Sequence, residues 1–592
     1  MLLRTSVRFF SAAIGICLAL SAAETARYEK FEVAFPMQRE YSNPYDPAVV
    51  DLTADFTAPS GKKLRVPGFL YQEHRRSGSL VAETLTPVGA PCWMVRFAPS
   101  ELGRYRYRAV LKDSLGEHVL GEGEFLSTPS KSHGFVRAKK RSFVFDDGTF
   151  YFPIGVNAPW FQYRADMKNK PGTGRWGAST YGADAMFEQY AKYGADFVHF
   201  WICSSNSTVE QAWAHPSIGC AQDRMSQADS WALDYIVDRA HERGIYILPI
   251  LKFKNQREAE PKPEDFLLFR YAVARWGYST SIFGWEFCKE GCTDVGLVEK
   301  QARYMKEIDP YDHLRTTSIW NRKIVPAMFA SPLLDIAQLH DYPWDCAGSG
   351  GPGLPYDPRV EDLGLYRVDQ KIHGPTFSVP GPFPDYGKPF FMGETGLLEC
   401  KEVKSKGEKE SRFYGEDRDG LIFHGDIWGM VMASSGAISP WYYRWDAGGQ
   451  WSHLSQFRGV AGYVSALRES LAGQPIPDSA VPFTNFRDDA NARVSDPRLS
   501  VTGRKNSRFA MVRVQNWTTT WAAVLRDHKT PQPITGAVIL RGMEEGSYRI
   551  VWVDTLTGAR LRTETATASS EGCELHVTGL IQDVAAILVP AK

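Results

Sequence analysis

Charge of one sign is missing from this 592-residue chain: lysine plus arginine and aspartate plus glutamate both number 68. Without a basic or acidic surplus there is no electrostatic footprint for nucleic acid or an anionic membrane surface. Long apolar runs are missing too. Beyond the amino terminus no segment approaches the ~18 apolar residues of a membrane-spanning helix. Several chemistries lack their motifs. His241-Glu242 is followed by Ile245, so the two-histidine zinc motif does not form. There is no phosphate-binding glycine loop with lysine, no dinucleotide fingerprint and no nucleophile-elbow serine. Asp417-Arg-Asp-Gly420 lacks the further ligands of a calcium loop. Neither a cofactor nor a metal is expected, and no internal repeat or low-complexity tract interrupts the chain.

What is present begins with a leader. Arg4 and Arg8 precede an apolar stretch from Phe9 to Leu20 and the small residues Ser21-Ala22-Ala23. This is the layout of a secretory signal peptide over residues 1–23. It predicts an exported or periplasmic protein beginning near Glu24, with no membrane attachment after cleavage. Export permits disulfides, and of the nine cysteines, Cys203/Cys220 or Cys288/Cys292 are placed to pair locally. Asn206 and Asn516 begin glycosylation sequons. Aromatic residues make up 13% of the chain, with 17 tryptophans, enough for exposed ring platforms as well as core filling.

Three textures follow. Residues 28–130 alternate in short segments such as Val49–Phe56, Trp93–Phe97 and Tyr105–Leu111, separated by turn residues, which predicts a β-sandwich. Residues 135–472 alternate strands with helical stretches. Strand candidates are Tyr151–Val156, Phe197–Trp201, Ile245–Leu251, Ile282–Trp285, Arg315–Ile319, Ile336–His340, Pro389–Met392 and Ala437–Trp441, with amphipathic stretches such as Ala185–Tyr193 and Trp231–Arg243 between them. Eight strands in helical alternation predict a (β/α)8 TIM barrel, with loops over Ala347–Pro358 and Glu399–Arg418. Residues 478–592 return to strand alternation and predict a second, smaller β-sandwich. The fold class is thus multidomain, a central barrel flanked by two sandwiches.

Two of the predicted barrel strands close on a glutamate. They are Ser281-Ile-Phe-Gly-Trp-Glu-Phe-Cys-Lys-Glu290 and Lys388-Pro-Phe-Phe-Met-Gly-Glu394-Thr-Gly396. Side chains alternate along a strand, so Glu286, Cys288 and Glu290 fall on one face, as do Phe390, Met392 and Glu394. A carboxylate at the carboxyl end of a barrel strand lies at the mouth where this architecture collects catalytic groups. Strand ranks four and seven set Glu290 and Glu394 across that mouth. A pair of carboxylates there is the minimal equipment for cleaving a glycosidic bond.

At this point the chain resembles clan A of the glycoside hydrolases, the barrel assembly that includes family-five cellulases and mannanases. Trp285-Glu-Phe-Cys-Lys-Glu290 resembles the strand-four acid/base motif and Phe391-Met-Gly-Glu394 the strand-seven nucleophile. The resemblance implies retaining hydrolysis of a polysaccharide or oligosaccharide, with Glu290 and Glu394 catalytic. His340-Asp341-Tyr342 resembles a strand-six histidine–tyrosine pair, and Trp441-Tyr-Tyr-Arg-Trp445 the aromatic floor of the sugar site. Asn157 closes a segment similar to the family's first strand. Implied substrate-binding residues are therefore Asn157, Trp160, His199, Trp201, Lys289, His340, Tyr342, Trp441 and Trp445. Two positions depart from the pattern. Lys289 stands where asparagine is usual, which leaves it pointing away, meeting an anionic sugar or impairing the site. His199 stands where relatives often carry an arginine. Glu286 is the alternative acid, although it resembles a strand glutamate with a structural hydrogen-bonding role. The first block is similar to a sandwich domain of unknown function that precedes such barrels, and the last to a module with a collagen-binding label. The alternative is a non-catalytic carbohydrate- or matrix-binding protein on a decayed barrel, and a third possibility is a lyase.

Overall fold

The computed structural model describes residues 23–79, 82–157, 180–202, 225–251, 263–290, 292–319, 324–341, 386–397, 411–439, 450–485 and 490–591. Near the amino end, the alternating segments form two sheets. One has the order Ala23–Ala26, Gly116–Thr128, Gly103–Asp113, Val50–Thr57, Lys63–Pro67; the other has Phe31–Pro36, Ala82–Phe97, Phe69–Ser79. In Val50–Thr57, Val50, Leu52, Ala54 and Phe56 are buried and the residues between them are partly exposed. One face of the strand is thereby driven inward. Rings from both sheets fill the space between them: Phe31 stacks on Phe125 at 4.1 Å and Phe56 on Phe97 at 4.0 Å between centroids.

The middle block is a parallel barrel. Its strands are Ile154–Asn157, Phe197–Trp201, Tyr246–Ile250, Gly284–Glu286, Leu314–Thr316 continued by Ser318–Ile319, Ala337–Asp341, Phe390–Thr395 and Ala437–Ile438. Each pairs in parallel with the next up to the seventh, and the eighth pairs with the first. Between the seventh and eighth, Ser435 N and Ser434 Oγ donate to the Phe390 carbonyl at 2.8 and 3.0 Å. The fifth strand is broken at Thr317: its first part pairs with the fourth strand and its second with the sixth. Helices including Thr180–Tyr193, Gln227–Arg243, Pro263–Trp276 and Val295–Ile308 alternate with the strands. A small antiparallel sheet, Val136–Lys139, Ser142–Phe145 and Phe150–Tyr151, brings Phe143 against Phe283 and Phe391 at the amino ends of the strands. That plug leaves the carboxyl ends as the mouth.

Beyond the barrel lie a six-stranded sheet, ordered Val481–Thr484, Leu499–Lys505, Ala510–Asn516, Asp583–Pro590, Gly546–Val553, Arg560–Ala568, and a three-stranded one of Ala492–Val494, Ile534–Leu540 and Cys573–Leu580. Val512, Ile550 and Leu588 of the large sheet share a core with Val538 and Leu575 of the small one. The opposite face of the large sheet, with Met511, Val551 and Ile587, joins the barrel core. Strands buried on both faces read as continuous apolar runs, and for that reason Phe509–Val514 and Ala585–Val589 alternate less cleanly than the first block. Asn516 is fully buried and donates to the Gln532 and Ile581 carbonyls, so its sequon is closed to glycosylation in the folded chain.

One expectation shifts. Part of the stretch expected as loop, Glu399–Arg418, is a short helix, Phe413–Glu416. The Asp417 carboxylate accepts from Leu421 N and Ile422 N and so caps the following helix. Among the described residues no helix is long and apolar enough to cross a membrane. The proposed leader, the Ala347–Pro358 loop and the Cys203/Cys220 pair lie outside the described residues.

Candidate active site

The barrel interior carries a layer of polar side chains below the mouth. His199, on the second strand, turns Nδ1 to Asn157 Oδ1 at 2.7 Å and Nε2 to Glu286 Oε2 at 2.6 Å. Gln338 of the sixth strand donates to the same Glu286 oxygen at 2.9 Å and accepts from Thr316 Oγ1 at 3.1 Å. Five strands are thus tied through one buried chain of hydrogen bonds. Burial alone pushes the Glu286 carboxyl up, but the charge of His199 and its hydrogen bond outweigh this and hold it below its ordinary value. His199 and Gln338 both engage Glu286 Oε2, which ties this residue into the layer.

Above this layer lie Glu290, Glu394, Lys289 and His340. The chain leaving the fourth strand is pinned to the fifth: Phe287 N donates to the Thr316 carbonyl, Thr317 Oγ1 to the Cys288 carbonyl at 2.9 Å, and Glu290 N to Ser318 Oγ at 3.0 Å. The Cys288–Cys292 disulfide closes a short ring around Lys289 and Glu290. Within that ring Glu290 takes φ 56°, a left-handed conformation that non-glycine residues adopt at a cost and that collects at functional sites. On the seventh strand, the register with the sixth slips so that His340 faces Glu394 and Gly393 is the extra residue. A Cβ on Gly393 would crowd Gln338 Nε2 and His340 Nε2, so any side chain there must displace one of them.

One imidazole nitrogen joins the two glutamates. His340 Nδ1 donates to Glu290 Oε1 at 2.9 Å and lies 3.4 Å from Glu394 Oε2. Both neighbours are acceptors, so Nδ1 carries a proton. Burial pushes the His340 value down, but the charge of Glu394 and the hydrogen bond to Glu290 raise it above that of an ordinary imidazole. Lys289 Nζ approaches Glu394 Oε1 at 3.0 Å, at ion-pair range and off the direction of a hydrogen bond. The Glu394 side chain is 1% exposed and that of Glu290 18%; the second is the more open to a group arriving from the mouth.

His199, His340 and Glu394 lie close enough together to hold a metal ion, but their donor chemistry does not suit one. Both His199 nitrogens face oxygen acceptors, His340 Nδ1 is a donor, and the Lys289 ammonium occupies Glu394. Of the sequence-predicted residues, Asn157, His199, Lys289, Glu290, His340 and Glu394 come together in this space. Trp201 lies on the second strand with its side chain outside the described atoms. Trp160, Tyr342, Trp441 and Trp445 lie outside the described residues. Sequence reasoning missed Gln338, although it precedes His340 by two and so shares its inward face, and Ser318, which carries no motif at all.

Residues 24–112 match a family model described as Domain of unknown function (DUF5060). No match exists among curated proteins. Among solved structures, one from Bacteroides vulgatus assigned as a glycoside hydrolase aligns over 96% of this chain and 100% of its own, at 14% identity and TM-score 0.57. A family 5 glycoside hydrolase from the same organism aligns over 77% of this chain and 93% of its own, at 13% identity and TM-score 0.50. The chain has a glycoside hydrolase fold. At these identities the likeness is one of architecture.

Proposed function

We propose that the chain is a secreted retaining O-glycoside hydrolase acting on a polysaccharide or oligosaccharide, with Glu394 as nucleophile and Glu290 as acid and base. The observation that carries this reading is the single His340 nitrogen in contact with both carboxylates. One oxygen of each carboxylate lies within 2.9 and 3.4 Å of that atom, which favours the close pair of a retaining enzyme over the roughly 6.5–9.5 Å that an inverting one needs to seat a water. Glu394 would bond to the anomeric carbon as the glycosidic C–O bond breaks, and the departing oxygen would take the Glu290 proton. Water would then give its proton to Glu290, bond to the same carbon and release the Glu394 carboxylate. The hydrogen bond from His340 falls on Glu290 Oε1 and would orient the carboxyl group for both steps. The sugar subsites would be built from Trp160, Trp201, Trp441 and Trp445, whose indole faces suit the apolar faces of sugar rings.

A 2-deoxy-2-fluoro glycoside with a good leaving group tests the reading. The expected result is a covalent label on Glu394, found by peptide mass spectrometry. Binding of glycan with no label and no turnover would instead favour the non-catalytic reading. Glu394→Ala should abolish turnover, with partial return in azide. Glu290→Gln should slow poor leaving groups far more than activated aryl glycosides; equal losses on both would remove Glu290 from the acid role.

A further inference from the structure

Glu290 reaches the mouth on a turn between the fourth barrel strand and the helix Val295–Ile308. Up to Glu290 the chain is fastened to the fifth strand through Thr317 and Ser318. Past Glu290, the Cys288–Cys292 disulfide ties it back to the strand end, with 5.9 Å between the two Cα atoms. Cys292 stands two residues before Asp294, whose carboxylate accepts from Leu297 N and caps the helix. Both half-cystines are buried in the barrel core, at 0% and 3% exposure. Between them, Glu290 is partly open to the mouth and takes φ 56°. A left-handed residue other than glycine persists only where its surroundings enforce it.

This crosslink is poorly placed to stabilise the whole fold. Loop-closure stabilisation grows with the length of chain enclosed, and these cysteines have a sequence separation of 4. The constraint falls instead on what the ring contains, and it contains Glu290. We propose that Cys288 and Cys292 are positioning residues, whose disulfide holds Glu290 in its left-handed turn and keeps its carboxyl group at the His340 nitrogen for the acid step and the base step alike. This rests on the glycosidase reading above. The disulfide stays intact through the cycle, and no bond to sulfur forms or breaks. His340 Nδ1 meets Glu290 Oε1 at 2.9 Å. A catalytic group displaced from such a position by about 1 Å costs about a hundredfold in rate.

The test compares wild type with the double variant Cys288→Ala/Cys292→Ala on the phenyl and dinitrophenyl glycosides of the sugar that wild type turns over fastest. Phenol leaves poorly and needs the acid, whereas dinitrophenol does not. The double variant should lose about a hundredfold in kcat/KM on the phenyl glycoside and less than about tenfold on the dinitrophenyl one. On the second substrate it should release a burst of dinitrophenol and then turn over slowly, because water still needs the base. Azide attacks without a base and should restore the steady rate. A core that was only loosened would slow both substrates alike and would not respond to azide. If the double variant melts early, Cys292→Ser keeps the Cys288 sulfur in the core and should give the same split. Equal losses on the two glycosides, or full activity on the phenyl one, would overturn the inference while a fluorosugar label on wild-type Glu394 left the glycosidase reading standing. Absence of that label overturns both.

Discussion

At the scale of single residues, the site depends on one that has no side chain. Gly393 is the extra residue where the seventh strand slips against the sixth, and Gln338 and His340 crowd the place where a Cβ would be. Neither neighbour can withdraw cheaply, since Gln338 holds Glu286 and His340 holds Glu290. In Gly393→Ala the methyl group should push His340 off the carboxylate pair. A displacement of this size costs about a hundredfold in rate, whereas overpacking of this kind costs only about 1–3 kcal/mol of stability. Measured kcat and thermal unfolding should therefore separate, with activity nearly lost and the fold retained. Glu290 and Glu394 were legible in sequence because each closes an apolar run before a glycine. The pairing of Lys289 with Glu394 was not. It depends on the left-handed turn at Glu290, which has no signature in residue type, and on the slip at Gly393, which a strand glycine hints at without fixing the register.

At the scale of elements, the eight barrel strands were readable to within a few residues, because buried parallel strands are short apolar runs between amphipathic helices. The break in the fifth strand was not readable, since Arg315–Ile319 has the composition of one strand. Its two halves serve different neighbours, and Thr317 and Ser318 at the break are the residues that pin the Glu290 segment. At the opposite end of the barrel, Asp196 stands at the start of the second strand and accepts from Ile154 N at 2.9 Å and Tyr151 Oη at 3.3 Å. Burial pushes its carboxyl up to about 7, against the opposing effects of the hydrogen bond from Ile154 and of Arg468. A carboxyl raised above its unfolded value of roughly 4 supports the fold fully below that pH. Its contribution is lost as pH climbs through about 7. Asp196→Asn keeps an acceptor for Ile154 N and removes the charge. Its melting temperature should match wild type near pH 4 and exceed it at pH 8; a gain of equal size at both values would exclude this linkage.

At the scale of the whole molecule, the flanking sheets are packed into the barrel. Arg96 of the first unit and Arg275 of the third barrel helix both donate to Asp234 on the second, joined by Trp276 Nε1. All four groups are buried, and the two guanidiniums drive the Asp234 carboxyl well below the usual range although burial opposes them. Asp234→Ala leaves the Arg275 guanidinium buried without this carboxylate, while Arg96 keeps Glu32 at 2.8 Å, and the expected loss is about 3–5 kcal/mol by denaturant unfolding. The junction on the other side involves the helix Leu421–Ala433, which is buried on nearly every face. A helix apolar all round needs cover on all sides, and the six-stranded sheet supplies part of it. Arg504 donates to the Met432 and Ser434 carbonyls at the end of this helix, at 3.0 and 2.6 Å, where a cation also suits the helix dipole. Trp428 Nε1 donates to the Thr555 carbonyl at 3.1 Å, and His424 meets Asp583 at 2.9 Å. The change in texture near residue 478 suggests a separable unit, but the shared core argues that the barrel is incomplete without it. A chain ended at residue 477 should expose one face of Leu421–Ala433 and collect in the insoluble fraction. Recovery of a soluble, cooperatively melting barrel from that shortened chain would show that the sheet is an accessory to the fold and not part of it.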